Sequence, residues 1–136
     1  MRLSKETTVD YAHRLAHHKG QCANLHGHTG RIVVTLEGEP DPTTGMLMDF
    51  ADLKVAMEPI RDKLDHATVL NSNADTDLIV VLDEFGFIVT ALPFEPTAEN
   101  LAHWIYNELK GTLPVASVTF YETANNYATY EGENPA

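Results

Sequence analysis

Polar and apolar residues alternate from residue 3 to residue 13, the period of a half-buried strand. Residues 14–26 have little periodicity and read as a loop. GRIVVTLEGE, Gly30 to Glu39, is rich in β-branched residues and predicts a second strand, stopped by the turn cluster EPDPTTG. Asp49 is placed to cap a helix, and Leu53, Met57, Ile60 and Leu64 then recur at spacings of four, three and four, one apolar helix face. Pro59 lies inside that pattern and removes a backbone donor, so a kink or break is expected there. NSNADTD reads as a turn. DTDLIVVLDEF then predicts a short helix capped by Asp75 or Thr76, with FIVTAL as a strand after Gly86; a β-hairpin is the alternative. Thr97 is the next cap, Leu101, Ile105 and Leu109 share a helix face, and Lys110-Gly111 closes that helix. VASVTFYET, Val115 to Thr123, alternates as a strand, ANN turns the chain, and YATYEG is the last strand. The terminal GENPA is expected to fray.

Strand, strand, helices, strand, strand is the order of an α+β fold, an antiparallel sheet with helices on one face. At 136 residues the chain fits one domain with a real core, and 43% hydrophobic against 21% charged residues is a globular balance. No run of apolar residues is long enough to span a membrane, and the N-terminus has no signal-peptide core, so a cytoplasmic location is expected. A formal net charge of −11 argues against nucleic acid as a partner.

The chemistry concentrates in CANLHGH, Cys22 to His28, which holds the only cysteine of the chain. In an extended segment His26 and His28 point to one side. A third imidazole would complete a catalytic rather than structural zinc pattern, and His13 suits it, since an antiparallel neighbour would bring it opposite His28. The residues alone leave Cys22 three roles: a fourth metal ligand, a thiol beside the metal with a lowered pKa, or a buried inert thiol. Asp65-His66 is an adjacent pair in which the carboxylate can orient the imidazole; coupled to Cys22 it would be a proton relay. Glu122 shares an alternating face with Val118 and Phe120, so it either binds a ligand or has reached the solvated rim. Arg14, His17, His18 and Lys19 form a basic cluster that is either solvated or a receiver of phosphate. His103 and Trp104 read as packing residues, and Tyr127 and Tyr130 as sheet residues.

Five blocks in order, YAHRLAHHKGQCANLHGH, GMLMDFADLK, LDHATVLN, PTAENLAHWI and the Glu122-Thr123 strand, resemble the 6-pyruvoyl-tetrahydropterin synthase superfamily. The resemblance treats residues 1–136 as a single domain of that kind. It implies the tunnelling fold, a four-stranded antiparallel sheet with a helical layer. Copies would assemble into a barrel, a trimer or hexamer with active sites between subunits. It implies Zn2+ on His13, His26 and His28, and Cys22 as the catalytic acid or base with Asp65 and His66 completing its relay. Glu122 would anchor the pterin ring. The implied substrate is 7,8-dihydroneopterin triphosphate, a small molecule. One branch yields 6-pyruvoyl-tetrahydropterin. The other yields 6-carboxy-tetrahydropterin, a precursor of 7-deazaguanines and queuosine, with acetaldehyde lost. The three-residue spacer between Cys22 and His26 resembles the carboxy branch, and the absence of glutamate among Ala23, Asn24 and Leu25 disfavours a related glutamate-using branch. Residues 72–95 form a longer segment than compact carboxy-branch members carry. Two further readings stand beside these: a non-catalytic zinc- or pterin-binding protein of the same fold, and a cysteine hydrolase using Cys22 and His66.

Overall fold

The computed structural model describes residues 1–133. Its elements are β1 Arg2–His13, β2 His26–Glu37, α1 Phe50–Leu64, β3 Thr68–Asn71, α2 Thr76–Glu84, β4 Val89–Leu92, α3 Ala98–Leu109, β5 Val115–Tyr121 and β6 Tyr127–Tyr130. They build one sheet of six strands in the order β4-β3-β1-β2-β5-β6. The expectation of four antiparallel strands is corrected: β1, β2, β5 and β6 are antiparallel neighbours, but β3 joins β1 in parallel and β4 joins β3 in parallel. Strand β3 carries no alternation to read, because Val69, Leu70 and Asn71 are all buried. The segment before β4 forms helix then strand rather than a hairpin.

Alternation assigns the faces. Odd positions of β1 and even positions of β2 turn inward, and in β5 Val118 and Phe120 follow. Against this face pack Leu53, Met57, Ile60 and Leu64 of α1 and Leu101, Ile105 and Leu109 of α3. α1 and α3 start on their expected caps: Asp49 accepts from the Ala51 N–H at 2.8 Å, and Thr97 from the Asn100 N–H at 3.1 Å. Pro59 does not break α1, which runs unbroken from Phe50 to Leu64. The carbonyl its missing N–H leaves free belongs to Val55, and both residues are exposed, so water can satisfy it.

Three further differences bear on the site. β2 begins at His26, not Gly30, so both histidines of His-Gly-His are in the strand, and it ends at Glu37 rather than Glu39. β1 and β2 register His13 opposite His26 and Tyr11 opposite His28, so His13 does not face His28 across the ladder. The loop between them holds a single 3-10 turn, Gln21–Ala23. Of GENPA, Gly132 and Glu133 carry no regular structure and the rest lies outside the described residues.

Candidate functional site

The inward alternation of two neighbouring strands carries His13, His26 and His28 to the same face, at the end of the sheet where the apolar layer stops. One imidazole nitrogen from each lies within 4.8 Å of the others, the arrangement needed to hold one metal ion. Ring centroids are 4.7 Å apart for His13 and His26, 5.1 Å for His13 and His28, and 4.9 Å for His26 and His28. Nδ1 of His13 lies 2.8 Å from the Pro96 carbonyl, and Nδ1 of His26 lies 2.6 Å from the Asn24 carbonyl. A carbonyl only accepts, so both Nδ1 atoms carry the proton and each Nε2 keeps its lone pair. Nε2 of His13 and Nε2 of His28 are buried without any hydrogen-bond partner. Burial holds the pKa of both rings below the ordinary histidine range, although Glu122 pulls the other way. Three converging imidazoles, with the Nε2 lone pair left open on His13 and His26, fit a zinc ion.

Glu122 follows the last residue of β5 and extends the face of Val118 and Phe120 to the cluster. Its Oε1 is 3.5 Å from Nε2 of His28, and its side chain is 24% exposed. Glu122 therefore stands at the rim beside the histidines, half-buried and able to accept hydrogen bonds from a ligand.

Tyr11 is a residue that the motifs did not single out. It is two positions before His13 on the same face, its ring 5.1 Å from His13, 5.8 Å from His28 and 5.7 Å from Phe120. Its hydroxyl is buried with no partner, and burial, then Glu122, raise its pKa above the ordinary phenol value. Gly30 makes room for this ring. A Cβ there would lie 3.0 Å from Tyr11 Cε1 and 3.2 Å from Phe120 Cζ. The alternation of β1 was the signal for Tyr11's placement.

Asp65 and His66 form the expected pair. Asp65 Oδ2 accepts from Nδ1 of His66 at 2.9 Å, while Oδ1 accepts the Asp10 N–H at 2.9 Å. That backbone bond, supported by His66 and Arg61, holds the Asp65 carboxyl below its ordinary range. His66 adopts a φ of 58°, uncommon for a residue with a Cβ, and its N–H is fixed on the Asp10 carbonyl at 2.6 Å. The ring is 75% exposed and borders an open cleft with Asp10, Gly27, His28 and Thr29.

Cys22 sits half-buried in the turn before β2. It is not part of the histidine cluster, and among the described residues no hydrogen bond joins it to His66. The basic cluster also divides. Arg14 is not free for phosphate, because its guanidinium pairs with buried Asp75 and donates to the Ala23 carbonyl. His17, His18 and Lys19 are exposed. His103 is exposed rather than packed and stacks on Tyr130 at 4.1 Å, whereas Trp104 is partly buried against the core.

A sheet whose rim gathers three imidazoles and a carboxylate could hold a metal ion. The 6-pyruvoyl tetrahydropterin synthase family matches residues 2–133, and the chain belongs to that family. It is 33% identical to the 6-carboxy-5,6,7,8-tetrahydropterin synthase of Haemophilus influenzae over 96% of this chain and 98% of that one. It is 42% identical to human 6-pyruvoyl tetrahydrobiopterin synthase over 84% of this chain and 72% of that one. The solved structure of Caenorhabditis elegans 6-pyruvoyl tetrahydropterin synthase superposes with a TM-score of 0.73 at 31% identity, covering 98% of this chain and 96% of that one.

Proposed function

We propose that the protein is a zinc-dependent 6-carboxy-5,6,7,8-tetrahydropterin synthase, converting 7,8-dihydroneopterin triphosphate to 6-carboxy-tetrahydropterin, acetaldehyde and triphosphate. The observation that carries this reading is the convergence of His13, His26 and His28 beside Glu122. The carboxy branch is favoured by the three-residue spacer between Cys22 and His26 and by the end-to-end match to the Haemophilus influenzae enzyme. The product would be a precursor of 7-deazaguanines.

In this reading His13, His26 and His28 would hold Zn2+, which would act as a Lewis acid on the side-chain oxygens of the substrate and make the neighbouring carbon-bound protons more acidic. Pro96 and Asn24 carbonyls keep the ligand tautomers fixed. Glu122 accepts hydrogen bonds from the pterin ring and orients it. Cys22, as thiolate, removes a carbon-bound proton. His66, aimed by Asp65, exchanges protons with the reacting side chain through its free Nε2. Because no hydrogen bond joins Cys22 to His66 among the described residues of one chain, the relay would run between two copies in a trimer or hexamer, the barrel assembly of the tunnelling fold.

The test is incubation of zinc-loaded protein with 7,8-dihydroneopterin triphosphate and identification of products by mass. Carboxy-pterin with acetaldehyde is expected. The pyruvoyl product would keep the site roles and reverse the branch, a second reading that the 42% identity to the human enzyme favours. Unchanged substrate with zinc bound would leave a binding protein of the same fold.

A further inference from the structure

We propose that Arg14 and Asp75 are positioning residues for Cys22, and that the segment from Ser72 to Glu95 serves to hold the cysteine-bearing turn. The proposal rests on the functional reading above for the importance of Cys22; its hydrogen bonds are distinct from those of the histidines, though Arg14 and Glu95 adjoin His13 and Pro96 in sequence.

Residues 14–25 link the last residue of β1, His13, to the first of β2, His26. They place Cys22, yet their only regular element is the turn Gln21–Ala23. Such a loop keeps one conformation only if its polar groups are tied elsewhere. Within the loop, the Leu15 N–H donates to the Cys22 carbonyl at 2.8 Å. Arg14 Nε donates to the Ala23 carbonyl, one residue beyond Cys22, at 2.7 Å. Two ties come from residues 72–95. Arg14 Nη1 pairs with Asp75, and the Ala16 N–H donates to Glu95 Oε2 at 2.9 Å.

Asp75 stands at the N-cap position of α2 but makes no side-chain cap bond. Capping is what an aspartate at that position ordinarily does. Here its carboxylate is 4% exposed and turned to Arg14 instead. Nε and Nη1 are fixed in one guanidinium plane, so gripping Nη1 also sets where Nε points. Asp75 thereby aims Arg14 at the Ala23 carbonyl. Glu95 closes the other end of the same segment, its Oε1 accepting from the Asn71 side chain at 3.0 Å. Both ends of the segment thus bear on one loop.

Arg14→Lys separates the parts of this clamp. Lysine keeps the charge opposite Asp75, but its single nitrogen cannot occupy both donor positions. Asp75→Asn removes the grip while keeping the shape. The readouts are zinc content, kcat and KM, and the rate of Cys22 alkylation by iodoacetamide. Expected for both variants are one zinc per chain, KM within about twofold, kcat lowered about tenfold and alkylation at least several-fold faster, as a released turn exposes the half-buried thiol. Glu84→Gln, on the exposed end of α2, should match wild type in every readout. Wild-type kcat and alkylation in zinc-loaded Arg14→Lys would overturn the proposal, as would loss of zinc in step with activity, since the clamp would then serve the histidines. If Asp75→Asn does not fold, Arg14→Lys alone decides. If wild type turns over no pterin, the functional reading fails while the alkylation readout still tests the clamp.

Discussion

The His13 ring has one nitrogen on the Pro96 carbonyl and the other buried without a partner. Removing any one imidazole leaves too few ligands for a stable zinc site, so His26→Ala should lose bound metal, measured by elemental analysis after dialysis. Cys22→Ala should keep zinc and lower kcat by about two to four orders of magnitude, the range of a positioned acid or base; loss of zinc there would make the thiol a ligand. Asp65 gives a pH signature. Its carboxyl is depressed in the folded chain, first by the Asp10 N–H, so it adds stability above the unfolded-chain value of about 3.9 and loses it as pH falls through the folded value. Asp65→Ala should lower stability at pH 7 by about 2 kcal/mol, the worth of a hydrogen bond to a charged group, and its urea midpoint should approach wild type only as pH falls through the depressed folded value, below the ordinary carboxylate range.

At the scale of elements, the strands locate the site and the α3 cap supports it. Thr97 caps α3 immediately after Pro96, whose carbonyl holds His13. Thr97→Ala should cost about 1 kcal/mol by chemical denaturation. Gly30 is the point where β2 lets the Tyr11 and Phe120 rings meet, and an added Cβ would also lie 3.3 Å from the Tyr121 carbonyl. Gly30→Ala should destabilise by about 1–3 kcal/mol, because two ring edges and a backbone atom must all shift. The histidine strand was only partly legible. The β-branched run from Ile32 marks β2, but its first turn of ladder, His26 to Gly30, is polar and glycine-rich and pairs because β1 extends beside it.

For the whole molecule, zinc that binds only the folded chain must raise its stability, by about 2.7 kcal/mol at a hundredfold excess over Kd. Calorimetry with and without zinc should show this, and His26→Ala should abolish it. The sheet leaves β4 and β6 as edges, with Phe85, Phe87 and Ile88 exposed next to β4. Sedimentation should therefore find a trimer or hexamer if the relay between copies is right.

Local pattern by itself determined the caps at Asp49 and Thr97, the apolar faces of α1 and α3, and the inward side of β1, β2 and β5, since these follow from periods along the chain. It also put His26 and His28 on one side with His13 as the third candidate, whereas Glu122 joined them only through the resemblance of the five blocks. Pairing partners were decided only in three dimensions. The parallel strands β3 and β4 depend on contacts between distant segments, and the His13–His26 register depends on how two whole strands align. Arg14 looked like a free cation because Asp75, sixty-one positions away in sequence, is brought to it only by folding. Tyr11 looked like a strand residue until the space above Gly30 gave its ring a place among the histidines. Period is a property of neighbours in sequence, whereas a site is a property of neighbours in space.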